Sequence, residues 1–490
     1  MMTGRDPYKA WFERHNMGLL TDLYELTMLI GYLKTGLNER RVAFEFFFRE
    51  LPPHSGFAVF AGLEGLLKGI ENMSFSESDL EYLEKSAGFD QEVIDYLASF
   101  HPKVDVWAMP EGTTVFPYEP LVRVEGPLAA AQLLETYVLN ALNYPTLVAT
   151  KAARTSLAAL GDPVLEFGLR RAQGPDGGVT GARAAYIGGC AATSNVLAGK
   201  IYGIPISGTH AHSWVMSHDS ELEAFKAYAR VFPGSCLLLV DTYDTLRSGV
   251  PNAIKVFEEL RRSDPDVKAA IRIDSGDLAR LSKEAHKQLE EAGFKNPRIV
   301  GSSDLDEDLI ADLKRQGAKI NAWGVGTHLI TSRDYPALGG VYKVVAVQED
   351  GEWQPRLKVA GNPEKTTDPD RKKVVRLYNG NGRPTADVLC HQGGEGPCSG
   401  KIRAVDRERL HRVFTYDARQ TEPLLHKVME KGRVLSDHPA LEDIKERAGN
   451  QIELLPDEMK RLRNPHVYPV LLTEELAKVK NDLMNERTES

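Results

Sequence analysis

Ala270-Ile271-Arg272-Ile273-Asp274-Ser275-Gly276-Asp277 is a short apolar run that breaks into a hydroxyl, a glycine and two carboxylates, with a helical pattern after it. The same construction occurs at Val164-Leu165-Glu166-Phe167-Gly168-Leu169-Arg170-Arg171 and at Leu237-Leu238-Leu239-Val240-Asp241-Thr242-Tyr243-Asp244. It returns at Ile299-Val300-Gly301-Ser302-Ser303-Asp304 and at Ile320-Asn321-Ala322-Trp323-Gly324-Val325-Gly326-Thr327. The units lie about 30 residues apart, the length of one strand–helix repeat in a parallel sheet. Several strand ends carrying polar groups toward one locus point to a closed barrel rather than an open sheet, with chemistry at the carboxyl ends of the strands.

A sixth stretch, Ile204-Pro205-Ile206-Ser207-Gly208-Thr209-His210-Ala211-His212-Ser213-Trp214, is expected to be the second barrel strand. It starts apolar and stiff, then gives way to small hydroxyl residues and two histidines. Glu221 to Val231 has helical spacing, with Leu222, Phe225, Ala229 and Val231 on one side. The histidines therefore sit where a strand hands over to a helix.

Outside these repeats the pattern changes. Asp22 with Glu25 three residues on has the spacing of a helix N-cap with its reciprocal partner. Leu23, Leu26, Ile30 and Leu33 form the apolar stripe of that helix, and Tyr24 lies off it, as a packing residue at a domain seam would. Arg41 to Leu51 alternates with apolar residues on both sides, as a strand covered on both faces does. Ser78 to Phe100 is helical, and Val104 to Gly126 is a small antiparallel unit cut by prolines. Pro127 opens a helical stretch, Leu128 to Leu160, bent at Pro145. Tyr342 to Val347 is a further β run, and Lys358 to Arg371 is basic and turn-rich. Helices are expected near Ala440 to Ala448 and Thr473 to Met484. The reading is an α/β protein: an N-terminal α/β domain over 1–150, an irregular (β/α) barrel over 151–350 and a C-terminal mixed domain over 351–490.

At 490 residues the chain exceeds one ordinary core. Its 42% hydrophobic and 26% charged content fits a globular protein. A net charge of −9 argues against general nucleic-acid binding. No apolar run is long enough to span a bilayer. Met1 to His15 lacks the apolar core of a signal peptide. Of the four cysteines, Cys190 and Cys236 fall in apolar or small-residue contexts. Cys390-His391 with Cys398 could suggest a metal knuckle, but the partner pair is missing, and ordinary thiols are the reading favoured. A cytoplasmic protein with reduced thiols is expected.

The strand ends offer candidate chemistry. Gly324-Val325-Gly326-Thr327 gives backbone N–H groups and a hydroxyl to phosphate oxygens, or else marks a tight turn. Asp274 and Asp277 suit Mg²⁺ or the hydroxyls of a ribose, with helix capping as the alternative for Asp274 or Ser275. Arg170, Arg171 and Arg272 suit a carboxylate or phosphate, or an internal pair with Glu166 or Asp241. His210 and His212 can be read as the metal pair of a His-x-His barrel hydrolase. They can also be read as one functional histidine beside an ordinary hydrogen-bonded one. No Gly-x-x-x-x-Gly-Lys-Ser/Thr occurs, so ATP use would have to avoid a P-loop.

Six motifs in order resemble nicotinate phosphoribosyltransferase. They are Thr21-Asp22-Leu23-Tyr24-Glu25-Leu26-Thr27-Met28, Glu166 to Gly174, Gly208 to Ser213, Ile271 to Asp277, Gly324 to Thr327, and Leu338 to Lys343. Asn464-Pro465-His466-Val467-Tyr468-Pro469 in the tail looks similar too. The resemblance implies an irregular α/β barrel joined to an N-terminal α/β domain, in a homodimer with shared active sites. It implies transfer of phosphoribose from phosphoribosyl pyrophosphate to nicotinate in NAD salvage, with Mg²⁺ required and ATP hydrolysis driving an enzyme of the ligase type. By motif, Tyr24, Arg170, Thr209 and Arg272 would line the nicotinate site; Asp241, at a strand end outside these motifs, is also expected to bind substrate. Gly326 and Thr327 would hold phosphate, and Asp274 and Asp277 would serve ribose or metal, Asp274 also as a catalytic group. His212 matches the family's transiently phosphorylated residue. Nicotinamide and quinolinate phosphoribosyltransferases are the near alternatives.

Overall fold

A computed structural model of the protein describes residues 17–359, 361, 365–394 and 396–488. Met1 to His15, read above as lacking a signal-peptide core, lies outside them, as does part of the basic stretch Lys358 to Arg371. The chain divides into two compact units, one of residues up to Thr150 and from Ala337 onward, the other Lys151–Pro336.

The second unit carries the strand–helix repeats. Its six strands are Val164–Glu166, Ala192–Thr193, Leu237–Leu239, Ala270–Ile273, Arg298–Ser303 and Ala322–Val325. All neighbouring pairs are parallel. The spatial order runs from Ala192–Thr193 through 164–166, 322–325, 298–303 and 270–273 to Leu237–Leu239. Helices Gly174–Ile187, Val250–Ser263, Leu278–Glu291 and Glu307–Arg315 follow or join these strands. Leu238, Ile271, Ile273, Ile299, Val300, Ala322, Trp323 and Val325 are fully buried, as strands covered on both faces require.

Two expectations change here. The sheet does not close by backbone pairing, because its edge strands, Ala192–Thr193 and Leu237–Leu239, share no ladder. The Ile204 stretch is also no full strand. Pro205 removes a ladder donor, Ile206 is 61% exposed, and pairing is reduced to one parallel bridge, Thr193 to Ile206. The second strand is Ala192–Thr193, two small residues with no β-type run. The Ile204 stretch nonetheless reaches both edges. It bridges Thr193 on one side and hands side chains to the other, where Thr209 Oγ1 donates to Leu237 O and Leu239 N donates to His210 Nε2 at 3.2 Å. The helix after it spans Glu221–Val231 with Ser220 as its cap. Its buried face is Glu221, Ala224, Phe225 and Ala229, whereas Val231 is 63% exposed.

The first unit holds two larger sheets. One has seven strands in the order Glu352–Pro355, Gly340–Glu349, Arg41–Phe48, Val122–Pro127, Asp105–Ala108, His426–Glu430 and Arg433–Val434. Arg41–Phe48 is buried on both faces from Val42 on. Phe44 stacks on Tyr342 with ring centroids 4.6 Å apart. The cost of burying Glu45 on this strand is offset by Lys372, whose Nζ lies 2.7 Å from Oε2. The β run over Tyr342 to Val347 lies within Gly340–Glu349. The other sheet has six strands, with Pro384–His391 and Lys372–Tyr378 near its middle. Arg376 and Asp387 pair within it at 2.7 Å, both fully buried. Helices close the chain at Leu441–Leu454 and Glu474–Thr488.

Helix Leu23–Thr35 begins at Asp22, but no side-chain cap forms. Glu25 is instead fully buried and accepts from Gln132 Nε2 at 2.8 Å, so the expected reciprocal box is absent. The buried face is Glu25, Leu26 and Leu29, while Leu23 is 65% exposed. Cys390 belongs to an apolar core with Val375, Leu377, Val388 and Leu471, and Cys398 is exposed.

Candidate active site

The carboxyl ends of the parallel strands bring five segments together, as open and closed α/β sheets alike do. Strand Leu237–Leu239 runs into Asp241 and Thr242, Ala270–Ile273 into Asp274, Arg298–Ser303 ends on Ser302 and Ser303, and Val164–Glu166 delivers Phe167. The fifth segment supplies His212, the first residue of the short helix His212–Met216.

Arg272 is the hub. Its Nε donates to Ser302 Oγ at 2.7 Å and its Nη2 to Asp274 Oδ1 at 2.7 Å. Ser302 Oγ donates to the same Oδ1. The guanidinium carbon stands 5.6 Å from the centre of the Phe167 ring. The internal partner of Arg272 is therefore Asp274, neither Glu166 nor Asp241. Burial pushes the Asp274 carboxyl up, but Ser302, Arg272 and His212 together outweigh it and hold the group below the usual carboxylate range. Asp241 organises the next loop. Its Oδ2 accepts from Asp274 N at 3.0 Å and from Ser275 Oγ at 2.6 Å. Among the described residues, its Oδ1 is buried without a hydrogen-bond partner.

The two histidines differ. His212 keeps 39% of its side-chain surface exposed, with Nε2 3.9 Å from Asp274 Oδ2 and Nδ1 3.1 Å from Thr242 Oγ1. His210 is 8% exposed, edge-on to Tyr228 at 4.8 Å. Its Nε2 accepts from Leu239 N and its Nδ1 faces Ala211 O at 3.3 Å, which fixes the proton on Nδ1. Burial drives its pKa down to about 4. A shared metal would need a lone pair from each ring, and that of His210 is already used. The donor set does not fit the His-x-His hydrolase.

The remaining candidates are placed as follows. Thr209 gives its hydroxyl to Leu237 O. Arg170 and Arg171 lie exposed in the turn Leu169–Arg171, while the buried carboxylate of Glu166 is held by Gly168 N and Thr193 Oγ1. Asp277 caps helix Leu278–Glu291 through Arg280 N at 3.0 Å. Gly326 and Thr327 follow strand Ala322–Val325. Packing alone requires Gly324, because a Cβ there would come within 2.7 Å of the Phe167 ring. Tyr24, 45% exposed, belongs to the other unit. Sequence reading passed over Phe167, Thr242, Ser302 and Ser303. The available signal was their position just beyond or at the end of an apolar run. Ser303 also holds φ at 142°, a value that favours glycine.

The chain matches three family models: the nicotinate phosphoribosyltransferase N-terminal domain over residues 19–143, the nicotinate phosphoribosyltransferase family over 163–390 and the C-terminal domain over 371–480. It is 46% identical to a nicotinate phosphoribosyltransferase of Bacillus subtilis (strain 168) over 473 residues, covering 95% of this chain and 94% of the relative. A human nicotinate phosphoribosyltransferase is 35% identical over 95% of this chain and 96% of its own. The crystal structure of human nicotinic acid phosphoribosyltransferase superposes with a TM-score of 0.85 at 33% identity, covering 94% of this chain and 99% of that one.

Proposed function

This chain belongs to the nicotinate phosphoribosyltransferase family and acts in NAD biosynthesis, and we propose that the Arg272–Asp274–His212 cluster joins nicotinate to phosphoribosyl pyrophosphate in an ATP-coupled reaction. The observation that carries this is a cation and a half-exposed histidine on one carboxylate, at the carboxyl end of a parallel sheet. Arg272 receives the nicotinate carboxylate, helped by Arg170 and the Thr209 loop. Phe167 offers an apolar face beside it. The pyridine nitrogen then needs little beyond orientation. Asp274 stays ionised, which suits positive charge developing on the ribose as pyrophosphate departs. Gly326 and Thr327 supply donors to phosphate oxygens.

Mg²⁺, when bound, neutralises charge gathering on pyrophosphate. The donors for it are hard oxygens, Asp274 and the partnerless Oδ1 of Asp241. Asp277 has one oxygen committed to its helix cap. ATP is the co-substrate and His212 the phosphate acceptor, since His210 is buried with both ring nitrogens engaged. The finer reading of the unit is an irregular barrel in which the Ile204–His210 stretch spans the open side. A second copy of the chain covers the exposed Leu20, Leu23 and Tyr24, and Tyr24 serves its partner's site. The four free thiols fit a reducing cytoplasm. No helix among the described residues is long and apolar enough to cross a membrane.

The test is a substrate panel. Nicotinate, nicotinamide and quinolinate are each supplied with phosphoribosyl pyrophosphate, with and without ATP. Nicotinate alone should give rapid mononucleotide formation, and ATP should raise it. Preference for either other pyridine would overturn the assignment.

A further inference from the structure

Arg272 and Asp274 leave one strand two residues apart, and both meet Ser302 from the neighbouring strand. A guanidinium has a side edge, made by Nε and Nη2, and an end edge, made by Nη1 and Nη2. Here the side edge is closed by Ser302 Oγ and Asp274 Oδ1. Among the described residues Nη1 has no partner, so the end edge is open. An arginine beside a carboxylate favours the bidentate fork. That fork is blocked because Ser302 takes Nε and shares Oδ1, which leaves Asp274 Oδ2 facing His212. The position is tight: Ser302 is 3% exposed, and its Cβ lies 3.3 Å from where a Cβ on Gly324 would stand.

We infer that Ser302 is the positioning residue that aims the open edge of Arg272 at the substrate carboxylate, and so sets the preference for a pyridine carrying a carboxylate over one carrying a neutral amide. Without the hydroxyl, Arg272 turns its fork onto both oxygens of Asp274. That turn swings the end edge off the line to the substrate, and Oδ2 is withdrawn from His212. This rests on Arg272 being the carboxylate-binding group.

The full chain is assayed with ATP present, reading KM for nicotinate, KM for phosphoribosyl pyrophosphate, and inhibition by nicotinamide. Ser302→Ala should raise the nicotinate KM about three- to ten-fold while leaving that of phosphoribosyl pyrophosphate within about two-fold. Nicotinamide should compete better by a similar factor. Ser302→Cys, close in size with a weak donor, should fall between. Ratios taken within one preparation do not respond to partial misfolding. If Arg272→Ala selectively raises the nicotinate KM and both Ser302 variants keep the wild-type ratio, Ser302 has no positioning role. If Arg272→Ala raises both KM values equally, Arg272 does not bind the carboxylate, and the inference about Ser302 falls with it.

Discussion

His210 and His212 flank a single alanine, yet acid should act on the fold through His210. An imidazole in an unfolded chain takes up its proton near pH 6.5, whereas His210 in the fold does so at about 4. Burial is the main cause, with the charges of Arg272 and His212 adding to it. The unfolded state therefore binds the proton first. The contribution of neutral His210 to stability is complete above about pH 6.5 and is lost as pH falls through about 4. The full shift corresponds to about 3 kcal/mol, and solvent at the edge of the ring reduces this to about 2 kcal/mol. For a unit of this size that is about 4–8 °C in melting temperature. The assay compares wild type with His210→Asn at pH 7.5 and pH 4.5. The variant loses the Tyr228 contact and the acceptor for Leu239 N, so it should melt lower at pH 7.5. The gap should narrow by about 3–6 °C at pH 4.5, where wild type has lost about three quarters of that advantage. A gap that stays constant across this range would refute the assignment of His210 as a neutral packing residue.

Gly324→Ala should lower stability by about 1–3 kcal/mol, because the added methyl meets Phe167 at 2.7 Å; thermal melting that matches wild type would show the ring moving aside freely. Mixing inactive Tyr24→Ala with inactive His212→Ala protein should restore part of the activity through hybrid dimers. Demonstrated subunit exchange with no return of activity would remove the shared site.

The parallel units were legible where an apolar run is long enough to bury both faces and ends abruptly, as at Leu237, Ala270 and Ile299. Ala192–Thr193 was not, since two residues are too short a run to carry a β-type signature and the pairing comes from neighbours. Ile204-Pro205-Ile206 misled in the opposite sense: its residues favour strands, but proline interrupts the ladder and Ile206 faces out. Non-local pairing, such as Arg41–Phe48 with Gly340–Glu349, leaves no mark in local periodicity. In the site, charged residues stood out and hydroxyls did not. Asp274, Arg272 and His212 announce chemistry by type, whereas Ser302 and Thr242 look like ordinary turn residues until the partners they hold are seen. Capping went wrong at Asp22 because Glu25 is drawn into the interior by Gln132. It was overlooked at Asp277, where a carboxylate assigned to metal holds Arg280 N.

The central claim is tested by incubating the enzyme with γ-labelled ATP and mapping the label. On the proposed reading, attack by a ring nitrogen of His212 would form an N–P bond as the bond from the γ-phosphorus to ADP breaks, with ADP keeping the electron pair. The account predicts an acid-labile, base-stable phosphate on the peptide carrying His212, absent in His212→Asn and present in His210→Asn. Label that persists in His212→Asn, or that disappears only in His210→Asn, would contradict it.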